Sequence, residues 1–321
     1  MEDKSMPERI RLGVSKCLLG EPVRYDGQHK RDSFIVDTLG PLVDFVPVCP
    51  EVECGLGVPR EAMRLIGTKE NPRLVTIRSG LDITPRMQDW IKPRLDQLAK
   101  ENLCGFIFKA RSPSSGMERV KIYNEKGGVV GYGAGLFAAA FMARFPLLPV
   151  EEEGRLNDPL LRDNFVERIF TLRRYRDAVA GARTLKPLMT FHATHKYLLM
   201  AHQPARVRAM GQLLADSPKG AIRETTAAYE DMLLDTLKTK TTTVRYVNVL
   251  QHMIGYLKQQ LTADEKQEFA ELLDDYRRDD VPLIAPIVML RHYVRKYNET
   301  YLATQTVLYP HPLELRLRNH A

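Results

Sequence analysis

The stretch "LVDFVPVCPEVECGLGVPRE" (residues 42–61) decides how the first half of the chain is read. Residues 42–48 are apolar apart from one acid and rich in valine, which suits a strand rather than a helix. A near-continuous apolar run of this kind is what a parallel sheet covered on both faces needs. The run ends in Cys49, Pro50 and Glu51, and a glycine-rich turn follows that contains Cys54. Two thiols and a carboxylate thus stand just past a strand.

Working outward, "RIRLGVS" (9–15), "RLVTIRS" (73–79) and "CGFIFKA" (104–110) repeat the pattern. Glycine, proline and polar clusters separate them. "TPRMQDWIKPRLDQLAKEN" (84–102) reads as a helix with Thr84 as N-cap and Pro85 at its first position. "GYGAGLFAAAFMARF" (131–145) passes from glycines into a helix, and "PLLPVEEE" (146–153) is a candidate last strand. Alternating strands and helices predict an α/β domain with a mostly parallel sheet over residues 1–154. From residue 155 to 321 the apolar residues recur at three- and four-residue steps, which predicts an all-α second domain. Thr262 and Glu265 have the spacing of a capping box.

Composition narrows the classes. Apolar residues are 44% and charged residues 27%, as in a globular protein. No run of 18 apolar residues exists, so no membrane partner is expected. The opening "MEDKSMPERIRLG" carries acids and lacks an apolar core, so the cytoplasm is the expected location. The net charge of +7 is spread over both halves, compatible with a polyanion such as RNA and equally with a solvated basic surface. "GYGAG" lacks the glycine spacing and the following acid of a dinucleotide site, so no dinucleotide cofactor is expected.

In a parallel sheet, ligands bind beyond the carboxyl ends of the strands. Cys17 in "SKCLLG", Cys49 with Cys54, and the loop "RSPSSG" (111–116) each follow a strand and should share one rim. Cys104 begins its strand, roughly 20 Å from that rim at about 3.3 Å per residue. Thiolates on one rim suit zinc or an iron–sulfur cluster; plain burial of three cysteines is the other reading.

"SKCLLGEPVRYDG", "VPVCPEVECGLGVPRE" and "FKARSPSSGMERVKIY", in that order, resemble the thiouracil desulfidase (TudS) family. The helical half, with "FHATHKYLLMAHQP", resembles the YbgA-type domain. Their fusion is similar to RudS-type desulfidases of 4-thiouridine in tRNA. The resemblance implies a [4Fe–4S] cluster held by three cysteines, with the fourth iron open to substrate sulfur. It places Cys17 and Cys49 as metal ligands. Many relatives carry cysteine where this chain has Ser115, so Cys54 is taken as the third ligand and Cys104 stays as the alternative. The implied catalytic residues are Glu51, as base toward a water attacking C4, with Ser112 and Ser114. Lys109, Arg111 and Ser115 are the substrate-binding candidates. Glu51 paired with Arg60, or an ordinary serine-rich turn at 112–115, is the structural alternative. Free thiouracil or a thionucleotide is a competing substrate, and a non-catalytic iron–sulfur or RNA-binding sensor is the reading of another class. His192, His195, Lys196 and His202, and the basic–aromatic stretches "LRRYRD" and "MLRHYVRKYNETY", are candidates for contact with RNA.

Overall fold

In the computed structural model, which describes residues 9–312, the first half of the chain holds eight strands. They are β1 (Ile10–Ser15), β2 (Val43–Val48), β3 (Met63–Gly67), β4 (Pro72–Thr76), β5 (Gly105–Phe108), β6 (Val120–Tyr123), β7 (Val129–Gly133) and β8 (Val150–Glu152). Three helices accompany them: α1 (Pro50–Glu53), α2 (Thr84–Ala99) and α3 (Leu136–Arg144).

The first sheet has the order β2-β1-β5-β8, and every pairing in it is parallel. Its two central strands are apolar runs: Leu12 and Val14 of β1, and Phe106, Ile107 and Phe108 of β5, have no exposed surface. The register sets Ser15 beside Val48, Val14 beside Ile107, and Phe108 beside Glu152. All four strands therefore end at one level. The chain steps from β1 to β2 on one side, then to β5 on the other, so the crevice of this sheet lies outside the ends of β1 and its two neighbours.

The second sheet, β4-β3-β6-β7, mixes parallel and antiparallel pairing. It differs from the expectation at "RLVTIRS", whose strand is an antiparallel edge of this sheet rather than part of the parallel one. Both sheets share a core with α2 and α3, built on Phe106, Phe108, Phe137 and Phe141. Phe106 and Phe108 stack at 4.4 Å, and Phe141 meets Phe108 edge-on at 5.6 Å. Thr84 is not the cap of α2. It lies inside the first turn, where its hydroxyl accepts from the Leu74 N–H at 2.8 Å, while Asp82 accepts from the Thr84 N–H at 2.9 Å.

The chain divides between Leu161 and Arg162. The second half is helical: α4 (Pro159–Val179), α5 (Lys186–His202), α6 (Pro204–Ala215), α7 (Ile222–Lys238), α8 (Thr243–Ile254), α9 (Ala263–Arg277), α10 (Ile284–Lys296) and the short α11 (Thr300–Ala303). α9 opens with the anticipated capping box of Thr262 and Glu265. α10 stops before "YNETYL" because Asn298 takes the left-handed conformation at φ 51°. None of the described helices is long and apolar enough to cross a membrane.

Candidate active site

Three loops at the carboxyl ends of β1, β2 and β5 close around a cavity of about 330 Å³. Cys17, Cys49, Glu51, Lys109, Arg111, Ser112 and Ser115 line it, joined by Arg24, Tyr25 and Arg60. Cys54, Cys104 and the hydroxyl-bearing Ser114 are not on its wall.

After β1 the chain makes one tight helical turn, Lys16–Leu19. Leu18 is driven into the core, which leaves Cys17 on the cavity side. Gly20 closes the turn at φ 96°, where a side chain would be strained. After β2, Cys49 stays extended and serves as the N-cap of α1. Its N–H donates to Glu53 Oε1 at 2.8 Å, and Glu53 is held in turn by Arg94 at 3.0 Å. Pro50 at the first helical position fixes the turn that carries Glu51 inward.

Glu51 is the junction of the site. Its Oε1 accepts from Ser114 Oγ at 2.6 Å, its Oε2 lies 3.6 Å from Cys49 Sγ, and Arg60 Nη2 stands 3.9 Å away. Ser114 is thus behind the wall and steers the carboxylate. Ser112 shapes the loop: its Oγ accepts from the N–H groups of Ser114 and Ser115 at 3.3 and 3.2 Å. That is the turn-forming role open to serine. The loop is pinned from behind by α3, whose Phe137 and Ala138 N–H groups donate to the Ser114 carbonyl at 2.9 and 3.1 Å. Gly135 makes this possible, since a Cβ there would stand 2.4 Å from the Ser114 carbonyl carbon.

Lys109 bridges the two central strands. Its N–H donates to Ser15 Oγ at 2.8 Å, and its ammonium pairs with Glu153 while donating to the Ala110 carbonyl at 3.1 Å. Arg111 is exposed at the mouth with φ 60°. Burial pushes the Cys17 thiol up to about 11, with the Lys109 ammonium opposing. Burial and then the Glu51 carboxylate push Cys49 up to about 12. A thiol must give up its proton to serve as a metal ligand.

Cys54 departs from the expectation that it joins the other two. It is buried in the core shared by the sheets, with its Sγ 3.3 Å from the Glu51 carbonyl oxygen. It follows the last residue of α1 as the C-cap and does not line the cavity. Cys104 donates its N–H to the Arg11 carbonyl at 2.8 Å, at the amino end of the sheet. Among the described residues, no three side chains of His, Cys, Asp and Glu come together as a metal site. Tyr25 and Glu153 were not anticipated as cavity or supporting groups, whereas Arg60 was considered only as a partner for Glu51, which it approaches at 3.9 Å. Asp26 makes the turn considered for it, accepting from the Gln28 N–H at 3.1 Å and from Arg24 Nε at 3.4 Å.

Some of the helical residues proposed for RNA contact are turned inward, while His292, Arg295 and Lys296 are exposed. His195 and His202 are buried; Arg174 Nε donates to His195 Nε2 at 3.1 Å, and His202 Nε2 meets Glu167 at 2.6 Å. Tyr175 donates to the Thr226 carbonyl at 2.6 Å, and Lys296 pairs with Glu265 at 2.7 Å. The three- and four-residue spacing marked a core-facing side of α5 rather than a basic surface.

Residues 12–153 match the profile of a family described as 2-thiouracil desulfurase, and residues 196–312 match one described as protein of unknown function (DUF1722). The uncharacterized protein YbgA of Escherichia coli (strain K12) is 28% identical over 157 residues, which is 48% of this chain and 93% of YbgA. A solved structure titled [4Fe-4S]-dependent thiouracil desulfidase TudS is 34% identical, covers 47% of this chain and 94% of its own, and superposes with a TM-score of 0.38.

Proposed function

Because residues 12–153 make this chain a member of the 2-thiouracil desulfurase family, we propose that its first unit removes sulfur from a thiolated uracil ring, and that the ring it serves is 4-thiouridine in tRNA. The observation that carries this reading is the convergence of Cys17, Cys49, Glu51 and Lys109 on one cavity at the carboxyl ends of three parallel strands.

The donor set fits the [4Fe–4S] cluster named for the TudS relative. Two thiols on separate loops supply soft ligands, and soft thiolates select iron–sulfur clusters over hard cations. When bound, the cluster supplies a Lewis-acidic iron that takes up thiocarbonyl sulfur. The remaining work falls to the chain. Ser114 fixes one oxygen of Glu51 and leaves the other toward the Cys49 side of the cavity. From there Glu51 takes a proton from the water that adds to C4 and gives it back as the carbon–sulfur bond breaks. The balance is one water consumed, one carbonyl formed and one hydrogen sulfide released, with no electron exchanged. Lys109, held by Glu153, and Arg60, held by the Val23 carbonyl at 2.9 Å, set fixed positive charge around the ring. Arg111, exposed at the mouth, suits a backbone phosphate.

A second reading takes free thiouracil as substrate. The family's own description and a cavity of single-ring size favour it. Purification without oxygen, followed by incubation with tRNA carrying 4-thiouridine or with free thiouracil, separates the two. Loss of thiouridine absorbance with matching sulfide release supports the first. Consumption of the free base alone moves the assignment to the second. A loaded protein that turns over neither ends both.

A further inference from the structure

We propose that the outer face of the second sheet is a groove for an unpaired RNA strand, which holds the nucleotides next to the one whose ring enters the catalytic cavity; the inference rests on the tRNA reading above. A groove of about 610 Å³ lies on this sheet and shares Met63, Arg111 and Pro113 with the wall of the catalytic cavity. The two are therefore continuous at the mouth. Four cations line the groove, Arg64, Arg111, Arg119 and Lys121, together with the rings of Tyr123 and Tyr132. None of the described residues that line it is acidic.

The strand pattern explains how these groups come to share a face. Along β6, Val120 and Ile122 are buried, Lys121 is exposed and Tyr123 is half-buried. A period of two sends the first pair to the core and the second pair outward. The register sets Lys121 opposite Tyr132 of β7, which is 55% exposed. It also sets Leu65 beside Ile122, so Arg64, one residue earlier on β3, stands next to Lys121. Two cations and a ring thus form a row across three strands. The Arg64 guanidinium lies 5.5 Å from the centre of the Tyr123 ring, and its buried Nε has no hydrogen-bond partner among the described residues. Arg119 has Glu118 at 3.8 Å, but Arg155 holds that carboxylate more closely, at 2.7 Å. Among the described residues no carboxylate lies within ion-pair distance of Arg64, Arg111 or Lys121. Charge left uncompensated in a groove attracts a polyanion. Phosphates satisfy the cations, and bases stack on the tyrosine rings. An acidic peptide would satisfy only the first. A nucleotide drawn out of its stack also leaves its neighbours without a stacking partner, and this face offers them one beside the mouth.

The test measures binding of fluorescently labelled tRNA carrying 4-thiouridine to the full-length protein, by anisotropy at several salt concentrations. Arg119→Ala combined with Lys121→Ala should weaken binding about tenfold and make the salt slope shallower by about 1.5, as expected for two lost phosphate contacts to a single strand. Tyr132→Ala should weaken binding about tenfold with the slope unchanged, whereas Tyr132→Phe, which keeps the ring, should match the parent. Lys92→Ala, which removes a charge from the exposed side of α2, should also match the parent. Equal thermal midpoints show that folding is intact. Oligouridylate should displace the tRNA at least about tenfold better than polyglutamate of equal charge. If the double variant and Tyr132→Ala bind as the parent does, or lose no more than Lys92→Ala, the groove assignment falls while the tRNA reading stands. Equal displacement by polyglutamate also overturns it, in favour of an acidic peptide. If the parent itself binds tRNA with no dependence on salt, or not at all, both fall.

Discussion

Glu51 and Glu167 are both buried carboxylates, and the two units keep them in different ways. Glu167 is 2% exposed and meets His202 Nε2 at 2.6 Å, while the other ring nitrogen of His202 meets the Thr239 carbonyl at 2.5 Å. The pair is sealed inside the helices. Glu51 has one short partner, Ser114; its second oxygen has only long contacts and faces a cavity. Burial alone therefore does not mark a site. What separates the two is whether the polar group is closed off by protein or left with capacity toward open space.

Substitutions should split along this line. The largest effect is expected at Glu51→Gln, which should cut sulfide release by about three orders of magnitude, within the range for a lost general base. Its iron content and visible spectrum should stay parental; activity within tenfold of the parent would remove Glu51 from the role of base. Glu167→Ala should do the reverse. It leaves His202 buried without its carboxylate and should cost the helical unit about 3–4 kcal/mol in urea unfolding. Replacing both members of the pair by apolar residues should recover much of that loss, and a double variant as unstable as the single one would deny the sealed-pair account.

A pH titration sharpens the comparison at smaller amplitude. Burial, helped by the Arg174 charge, pushes His195 down to about 3 from an ordinary value near 6.5. Arg174 and Glu167 of α4 face it, with His192 on its own helix. A base whose folded value is depressed gives stability that is complete above 6.5. That stability is lost as pH falls toward 3, because the unfolded chain takes up the proton first. The helical unit should lose about 2 kcal/mol between pH 6.5 and 5. His195→Gln should flatten that slope in thermal melts, and an unchanged slope would place the proton elsewhere. The smallest change is expected at Thr262→Ala, which removes a side-chain cap from exposed α9 and should cost about 1 kcal/mol. Sulfide release should be unmoved there; a deficit would tie α9 to the chemistry.

The centre of the parallel sheet was legible because β1 and β5 are covered on both faces and so read as nearly unbroken apolar runs. β7 was not, since Val129, Val130 and Tyr132 are about half exposed and no buried alternation survives. The convergence of Cys17, Cys49 and Glu51 on one cavity was legible from their position just past strands. Cys54 misled because the four-residue helix between it and Cys49 rotates it into the core, a turn too short to show as periodicity. The α5 histidines misled because one helical face reads the same whether it meets solvent or the core. Arg60 was anticipated as a partner for Glu51 but not as part of the cavity wall, because it reaches the cavity from a loop that carries no strand or helix pattern.

The grip of α3 on the Ser114 carbonyl has a consequence for how this protein tolerates change. The same helix is wedged into the phenylalanine stack through Phe137 and Phe141. Repacking that stack shifts the lever on which the serine loop is mounted, so a shaved ring deep inside arrives at the mouth as misalignment. Reactivity here inherits its tolerances from carpentry several layers below.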